Sequence, residues 1–309
     1  MTSALLRIGT RGSPLALAQA NEVRRRLADA HPDLAPDGAV EIVVIRTTGD
    51  RLQQGTLAES GGKGLFTKEI EEALLDGSVD IAVHSMKDVP TWFPDGLGVD
   101  CVLPREDPRD ALIAASVTRI ADIPEGATVG TASLRRGAIL LNRRPDLNVV
   151  TLRGNVDTRL GKVEAGEVDA TFLAVAGLNR LGRRNVGATP IDPDEMLPAV
   201  CQGVVGIERR LNDDTAAARL APLNDVATAA RAAAERALLE GLDGSCRTPI
   251  AALAELDGDR LSLRAAIVRP DGSELIETAR DGAAGDAAAL GADAAQELRS
   301  RGGAGFFDG

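Results

Sequence analysis

The chain has 309 residues and a formal net charge of -11, and 44% of its residues are hydrophobic while only 2% are aromatic. This length allows two or three domains with buried cores, and the apolar content excludes a disordered protein. The acidic charge argues against general nucleic-acid binding, which requires a basic face. With no Tyr and few other aromatics, the core must consist of Ala, Leu, Val and Ile.

The first hundred residues alternate predicted strands and helices, which is typical of a mostly parallel sheet covered by helices. Ser13 is suited to cap the first helix, because Pro14 then occupies its first position. A long polar loop is predicted over residues 48–62. The predicted elements are strands at 5–8, 40–47 and 79–84, a helix that runs from 14 to His31-Pro32, and a helix at 65–76.

A second alternation follows a proline-rich boundary at residues 101–108, and a linker is predicted over 190–198. Ser133 and Asn155 are suited to cap two of its helices. The predicted strands are 111–115, 128–131, 148–152, 169–174 and 204–208; the predicted helices begin at 134 and 156, with a short one near 177.

The last region reads as a small α+β domain. An Ala-rich helix over 227–242 precedes three predicted antiparallel strands, and the turns that contain Gly258 and Gly272 favour hairpins. The strands are predicted at 251–256, 261–268 and 274–280, and a final helix is predicted at 287–299.

The sequence shows no signal for export, membrane insertion or metal binding. Residues 1–9 lack the apolar segment of a signal peptide, and no window is long enough to span a membrane. The three cysteines, Cys101, Cys201 and Cys246, have no paired spacing, so neither a disulfide framework nor a zinc site is predicted. We expect a reduced, cytoplasmic protein without a metal.

Several loops place a cation beside Gly, Ser or Thr at a predicted strand end or helix start. Helix starts present backbone N–H groups and a positive dipole end, which suit an anion. In an acidic chain, cations gathered in this way indicate a pocket for an anionic ligand. These loops lie at residues 9–14, 60–64, 84–90, 131–136 and 152–155.

The loop around Lys63 is not a nucleotide-binding motif of the Walker type, because Leu57 stands where that motif needs Gly and Gly64 stands where it needs Ser or Thr. It also lacks the third glycine of a dinucleotide fingerprint. Two interpretations remain open: a simple structural turn, or a loop that binds carboxylates.

The paired arginines Arg135 and Arg136 fall in a first helical turn, where cations oppose the helix dipole. Either this is a solvated face, or anions bind there. Arg153 ends a predicted strand, where ligands gather in open α/β sheets, and Arg159 is spaced to point back toward it.

Lys87 and Asp88 form either a local ion pair or a substrate-binding lysine beside an acid–base carboxylate. His84 is predicted to pack in the interior. Cys246 is either inert or, beside Arg247, a reactive thiolate, whereas Cys101 is predicted to lie in the core.

Seven segments of the sequence closely resemble the porphobilinogen deaminase family, also called hydroxymethylbilane synthases, and they follow the family order over nearly the whole chain. Residues 83–90 read Val-His-Ser-Met-Lys-Asp-Val-Pro and residues 105–110 read Arg-Glu-Asp-Pro-Arg-Asp. The other matching segments are 11–16, 61–66, 133–136, 152–156 and 173–178.

The resemblance implies two periplasmic-binding-protein-like α/β domains that flank a cleft, plus a small C-terminal α+β domain. Domain 1 would comprise residues 1–103 and 202–222, domain 2 residues 104–201, and domain 3, which carries the cysteine, residues 223–309. It implies a monomer whose partner is a small-molecule substrate, without nucleic acid or membrane.

The resemblance also implies the reaction. Four porphobilinogen molecules would be joined head to tail with loss of ammonia, on a dipyrromethane cofactor held by a thioether to Cys246, and hydroxymethylbilane would be released into tetrapyrrole biosynthesis. By this match Asp88 is the catalytic residue. The cofactor-binding residues would be Cys246, Ser13, Lys87, Asp88, Ser133, Arg135, Arg136 and Gly154, and the substrate-binding residues Arg11, Lys63, Arg153, Arg159 and Arg180.

Four positions depart from the family pattern: Glu59, Asp157, Cys201 and Ser245. A competing hypothesis is a non-catalytic binding protein of the two-lobed periplasmic class, which also uses loop cations and helix N-termini. The missing secretion signal and the tethering cysteine argue against that alternative.

Overall fold

The chain forms two compact units in the computed structural model, which describes residues 4–51, 64–183, 186–244 and 248–308. The first unit holds the described residues of the segments up to 105 and from 204 to 229, and the second holds 106–203 and the segment from 230 onward. The chain therefore leaves the first unit after residue 105, returns to it at 204 and leaves it again after 229. The finer division into three domains stays a prediction.

The first unit is built on a five-stranded sheet with the strand order β2-β1-β3-β10-β4. β1, β2 and β3 are parallel, whereas β10 is antiparallel to both of its neighbours. The strands are β1 (Leu6–Arg11), β2 (Val40–Ile45), β3 (Ile81–Ser85), β4 (Leu97–Val102) and β10 (Val205–Arg210), and the helices are α1 (Pro14–Ala30), α2 (Thr48–Arg51), α3 (Lys68–Leu75) and α7 (Asp214–Leu220).

Helix α1 shows why these residues fold as they do. The Ser13 hydroxyl accepts a hydrogen bond from the Ala16 N–H at 3.2 Å, and Pro14 needs no partner at the first position. Ala20, Val23 and Leu27 recur at helical spacing and are fully buried. They pack with α7 on one face of the sheet, while α3 packs on the other.

The second unit contains another five-stranded sheet, with the order β7-β6-β8-β5-β9. β6, β7 and β8 are parallel, and β5 runs antiparallel to β8 and β9. The strands are β5 (Asp110–Ala114), β6 (Thr128–Gly130), β7 (Asn148–Val150), β8 (Ala170–Ala174) and β9 (Thr189–Pro190), and the helices are α4 (Leu134–Arg143), α5 (Val156–Glu164) and α6 (Val175–Arg180).

A three-stranded antiparallel sheet completes the second unit. Gly258 and Gly272 have φ angles of 59° and 77°, which the two hairpin turns require. Residues of this sheet share one apolar core with Phe172 and Leu112 of the five-stranded sheet. The strands are β11 (Ile250–Asp257), β12 (Arg260–Val268) and β13 (Leu275–Ala283). The helices are α9 (Ala287–Gly302) and α8 (Val226–Gly241), and α8 begins within the first unit.

The predicted fold class, two α/β sheets followed by a small α+β region, is confirmed. Three details differ. Thr189–Pro190 forms β9 within the predicted linker, because Pro190 pairs with Ala111 at the sheet edge, where a missing N–H is tolerated. Strand β4 and helix α7 were given no predicted bounds. The predicted 48–62 loop begins with the short helix α2, and its remainder lies outside the described residues.

Phe172→Ala should lower the free energy of unfolding by about 3–5 kcal/mol, because this fully buried ring fills the core that the two sheets of the second unit share. Urea unfolding followed by far-UV circular dichroism measures the change. Phe307→Ala, at a half-buried position near the chain end, is the control and should cost clearly less. Equal unfolding midpoints for the two variants would contradict this account of the core.

Candidate functional site

In the first unit, the predicted site residues lie where the parallel strands end. Arg11 is the last residue of β1, and Ser85 is the last residue of its parallel neighbour β3. Lys87 and Asp88 follow in a short 3-10 turn, and Ser13 caps α1. Carboxyl ends of parallel strands are where open α/β sheets bind ligands.

A pocket opens at this edge, and Arg11, Ser13, Ser85 and Asp88 all line it. Asp88 and Lys87 are half-buried, and the turn that carries them is anchored by buried Met86, whose N–H donates to the Val204 carbonyl at 3.0 Å. The structure thus brings the predicted catalytic carboxylate together with one predicted cation and one predicted hydroxyl.

Arg11 is held between a carboxylate and an aromatic ring. Its Nε lies 3.1 Å from Asp50 Oδ1, and its guanidinium carbon lies 4.2 Å from the centre of the Phe66 ring. Burial alone would raise the pKa of Asp50, but the hydrogen bond and charge of Arg11 outweigh it, so the pKa lies below its usual value. The guanidinium is therefore oriented before any ligand arrives.

Several residues that line the pocket were given no role from the sequence, among them Gln19, Phe66 and Thr67. Gln19 is almost fully buried on the apolar face of α1, and its Nε2 donates to the Ser85 hydroxyl at 2.8 Å. The sequence signal that could have identified Gln19 is a polar side chain at a core position of an amphipathic helix. Phe66 lay within a matching motif without an assigned function.

His84 is buried, as predicted, and its Nε2 lies 2.9 Å from Glu208 Oε2. Glu71 lies nearby, and burial raises the pKa of its carboxyl, with the charge of Glu208 adding to that rise. His84 joins this polar cluster to the pocket, because it is also one of the residues that line the pocket.

In the second unit, the predicted residues again follow the ends of parallel strands. Ser133 caps α4 just after β6, and its hydroxyl accepts from the Arg136 N–H at 3.4 Å. Arg135 and Arg136 are each only 4% exposed, so the solvated-face interpretation is wrong. Both guanidinium groups contact the buried carboxylate of Asp110.

The segment after β7 carries Arg153, Gly154 and Arg159. Gly154 has a φ of 125°, and an added Cβ would lie 2.7 Å from the Thr158 side chain, so only glycine fits. Arg159 folds back as expected, because its Nε donates to the Gly154 carbonyl at 2.9 Å. Arg180, at the end of α6, donates to the Gly203 carbonyl at 3.1 Å.

Two predicted residues, Lys63 and Cys246, lie outside the described residues, so their roles stay predictions. Within the described part of the chain, no group of three or more His, Cys, Asp or Glu residues is arranged to hold a metal ion. Over those same residues, no helix is both long and apolar enough to cross a membrane.

These features define a class of protein: an α/β protein that gathers cations and hydroxyls at its sheet edges, an arrangement suited to an anionic small molecule. Comparison with known proteins narrows this class. The family model described as "Porphobilinogen deaminase, dipyromethane cofactor binding domain" matches residues 6–218, and "Porphobilinogen deaminase, C-terminal domain" matches residues 229–300. The chain belongs to the porphobilinogen deaminase family.

Proteins named porphobilinogen deaminase align with nearly all of this chain and with most of their own length. Porphobilinogen deaminase of Paracoccus denitrificans is 60% identical over 98% of this chain and 96% of its own. The protein of the same name from Nitrobacter winogradskyi is 56% identical over 99% and 96%, and the chloroplastic one from Oryza sativa subsp. japonica is 53% identical over 98% and 86%. Among solved structures, the probable amino-acid ABC transporter extracellular-binding protein ytmK from Bacillus subtilis is 12% identical, with a TM-score of 0.43 over 72% of this chain and 90% of that chain.

Cys101 should not react with thiol reagents in the native protein. Burial, and to a smaller degree the charge of Asp100, raises the pKa of its thiol to about 12, so almost no thiolate exists near neutral pH. Treatment with iodoacetamide at pH 8 followed by peptide mass mapping measures the reaction. The same peptide should be modified after unfolding in urea, and rapid native alkylation would contradict the buried placement.

Proposed function

We propose that this chain is an active porphobilinogen deaminase, a transferase that joins four porphobilinogen molecules head to tail with loss of ammonia and releases hydroxymethylbilane. The observation that carries the proposal is the placement of Asp88 in one pocket with Arg11 and Ser13, in a chain that belongs to this family throughout. Nucleic acid has no part in this function. A cytoplasmic, monomeric enzyme is proposed.

The described residues fit a dipyrromethane cofactor. Each of its pyrroles carries an acetate and a propionate, so it needs several cationic contacts, and arginine suits carboxylates because it can form two parallel hydrogen bonds. Arg135 Nε is buried and, among the described residues, has no hydrogen-bond acceptor, as expected of a donor reserved for a ligand. When bound, the cofactor supplies the primer to which new pyrroles are added.

We assign the residues as follows. Cys246 holds the cofactor through a thioether, and a second set of side chains binds the cofactor non-covalently: Ser13, Lys87, Asp88, Ser133, Arg135, Arg136 and, through its backbone, Gly154. The carboxylates of incoming substrate are bound by Arg11, Lys63, Arg153, Arg159 and Arg180.

Asp88 carries the chemistry. Loss of ammonia leaves positive charge on a substrate pyrrole, and a carboxylate near the ring nitrogen stabilises that charge where it develops. The same carboxylate exchanges protons as the amine departs and as the new bond forms. Its half-buried position supports this role, because a charge-stabilising group acts more strongly where water is partly excluded.

A non-catalytic binding protein is the competing hypothesis. It would use the same cations but would need neither a covalent primer nor a carboxylate aligned with the reacting atoms. The mass of the purified chain separates the two functions.

The purified chain should be heavier than its sequence by two pyrrole units, because the primer stays attached through Cys246. Cys246→Ser should lose this added mass, since a hydroxyl is a far weaker nucleophile than a thiolate. Intact-protein mass spectrometry measures both. Cys101→Ala is the matched control and should keep the added mass; an active wild-type protein of unmodified mass would refute the tether.

Asp88→Asn should lower kcat by about 100-fold or more while the protein stays folded, because the amide lacks the negative charge and the proton-transfer capacity of the carboxylate. Initial rates of porphobilinogen consumption measure the effect. Asp95→Asn, an exposed position on the segment that follows, should turn over like the wild type. Near wild-type kinetics for Asp88→Asn would remove Asp88 from the mechanism.

A further inference from the structure

Asp110 is a fully buried carboxylate on which two guanidinium groups converge. Arg136 donates from Nε at 3.1 Å and from Nη2 at 2.6 Å to Oδ1, and Arg135 Nη2 lies 2.7 Å from Oδ2. The Gln202 amide nitrogen donates to Oδ1 at 2.9 Å. No role was assigned to Asp110 or Gln202 from the sequence.

The cluster carries an excess of positive charge. Burial alone would raise the pKa of Asp110, but Arg135 and Arg136 outweigh it and hold that pKa far below its usual value, so the carboxylate is ionised. One negative charge then faces two positive ones. An uncompensated buried charge is costly, which favours a site that receives a second anion.

The remaining contacts fix the orientation of both guanidinium groups. Arg135 Nη1 donates to the Leu197 carbonyl and Arg136 Nη1 to the Phe172 carbonyl, each at 2.8 Å. The buried Arg135 Nε finds no acceptor within the described part of the chain. A planar group held at several points leaves its other donors in a defined direction.

The position of the cluster in the sheet is that of a ligand site. Asp110 begins β5 and pairs with Ala174, the last residue of the antiparallel neighbour β8. The two arginines open α4 directly after parallel strand β6. The carboxylate therefore lies at the same edge as the ends of the parallel strands, on the sheet face that α4 covers.

We propose that Asp110, supported by Gln202, is a positioning residue that holds Arg135 and Arg136 side by side so that their remaining charge and donors receive a carboxylate of the bound oligopyrrole. This inference rests on the proposed function. Asp110 itself is fully buried and is not assigned to touch the reacting atoms: its Oδ1 accepts from Arg136 and Gln202, and its Oδ2 makes an ion-pair contact with Arg135.

The test compares Asp110→Asn with Asp80→Asn. Asp80 is the control because it also lies near two arginines, with Arg7 at 2.7 Å and Arg210 at 3.7 Å, but belongs to the first unit, whereas Asp110 belongs to the second. Each protein is measured for cofactor content by intact mass, for unfolding in urea, and for kcat and KM with porphobilinogen.

Asp110→Asn should remain folded but show at least a tenfold lower kcat per cofactor-bearing molecule or at least a tenfold lower cofactor-bearing fraction. Asp80→Asn should keep both quantities within twofold of the wild type. If Asp110 acts through the arginines, its loss should matter little once Arg136 is replaced. The double variant Asp110→Asn/Arg136→Lys should therefore have a kcat less than twofold below that of Arg136→Lys alone. A purely structural role predicts instead that the losses follow the drop in unfolding free energy in both Asp variants.

Gln202→Met keeps the inference testable if Asp110→Asn fails to fold, because it removes the Gln202 hydrogen bond to Asp110 while it keeps a side chain of similar volume. It should lower kcat per cofactor-bearing molecule or the cofactor-bearing fraction by at least threefold. Wild-type cofactor content and kcat in folded Asp110→Asn, or in Gln202→Met, would overturn the inference. The inference would also be overturned if Asp80→Asn, destabilised to the same extent, lost as much cofactor content and kcat as Asp110→Asn. A wild-type chain with no added mass and no turnover would instead overturn the proposed function.

Discussion

The burial of positive charge is the constraint on which the candidate site depends. In a protein of net charge -11, cations that serve a ligand must be kept from collapsing onto random surface carboxylates. The structure does this by giving them fixed internal partners. Asp110 holds two arginines in the second unit, and Asp50 with the Phe66 ring holds Arg11 in the first. A cation oriented in advance loses little conformational freedom when a carboxylate binds.

Each unit uses the same construction around these pairs. Parallel strands end at one edge, a Ser side chain caps the helix that follows, and charged residues occupy the first turns beyond the strands. Ser13 and Ser133 accept backbone N–H groups through their hydroxyl oxygens, which leaves each hydroxyl hydrogen available to donate. At each edge taken by itself, this arrangement suits an anionic group.

Local sequence signals predicted most of the fold because they act over a few residues. The Ser13-Pro14 start, the Asn155 cap and the alternating strands of the C-terminal sheet were recognisable without tertiary contacts. β9 was assigned to a linker because two residues carry no periodicity, and its strand character depends on Ala111 in a distant segment. The paired arginines allowed two interpretations because a distant contact decides between them. Their burial goes with the contact to Asp110, which lies 26 positions from Arg136 in the chain.

The sequence by itself determined the family, most of the strands and helices, and which loops carry charge, because motifs and periodicity are properties of neighbouring residues. Only the tertiary structure decided which charges are buried, which carboxylate each arginine meets, and that Gln19, Phe66 and Thr67 share a pocket with Asp88. Those facts depend on strand register and on helices packed across a sheet. Such contacts join residues far apart along the chain, and spacing alone carries no record of them.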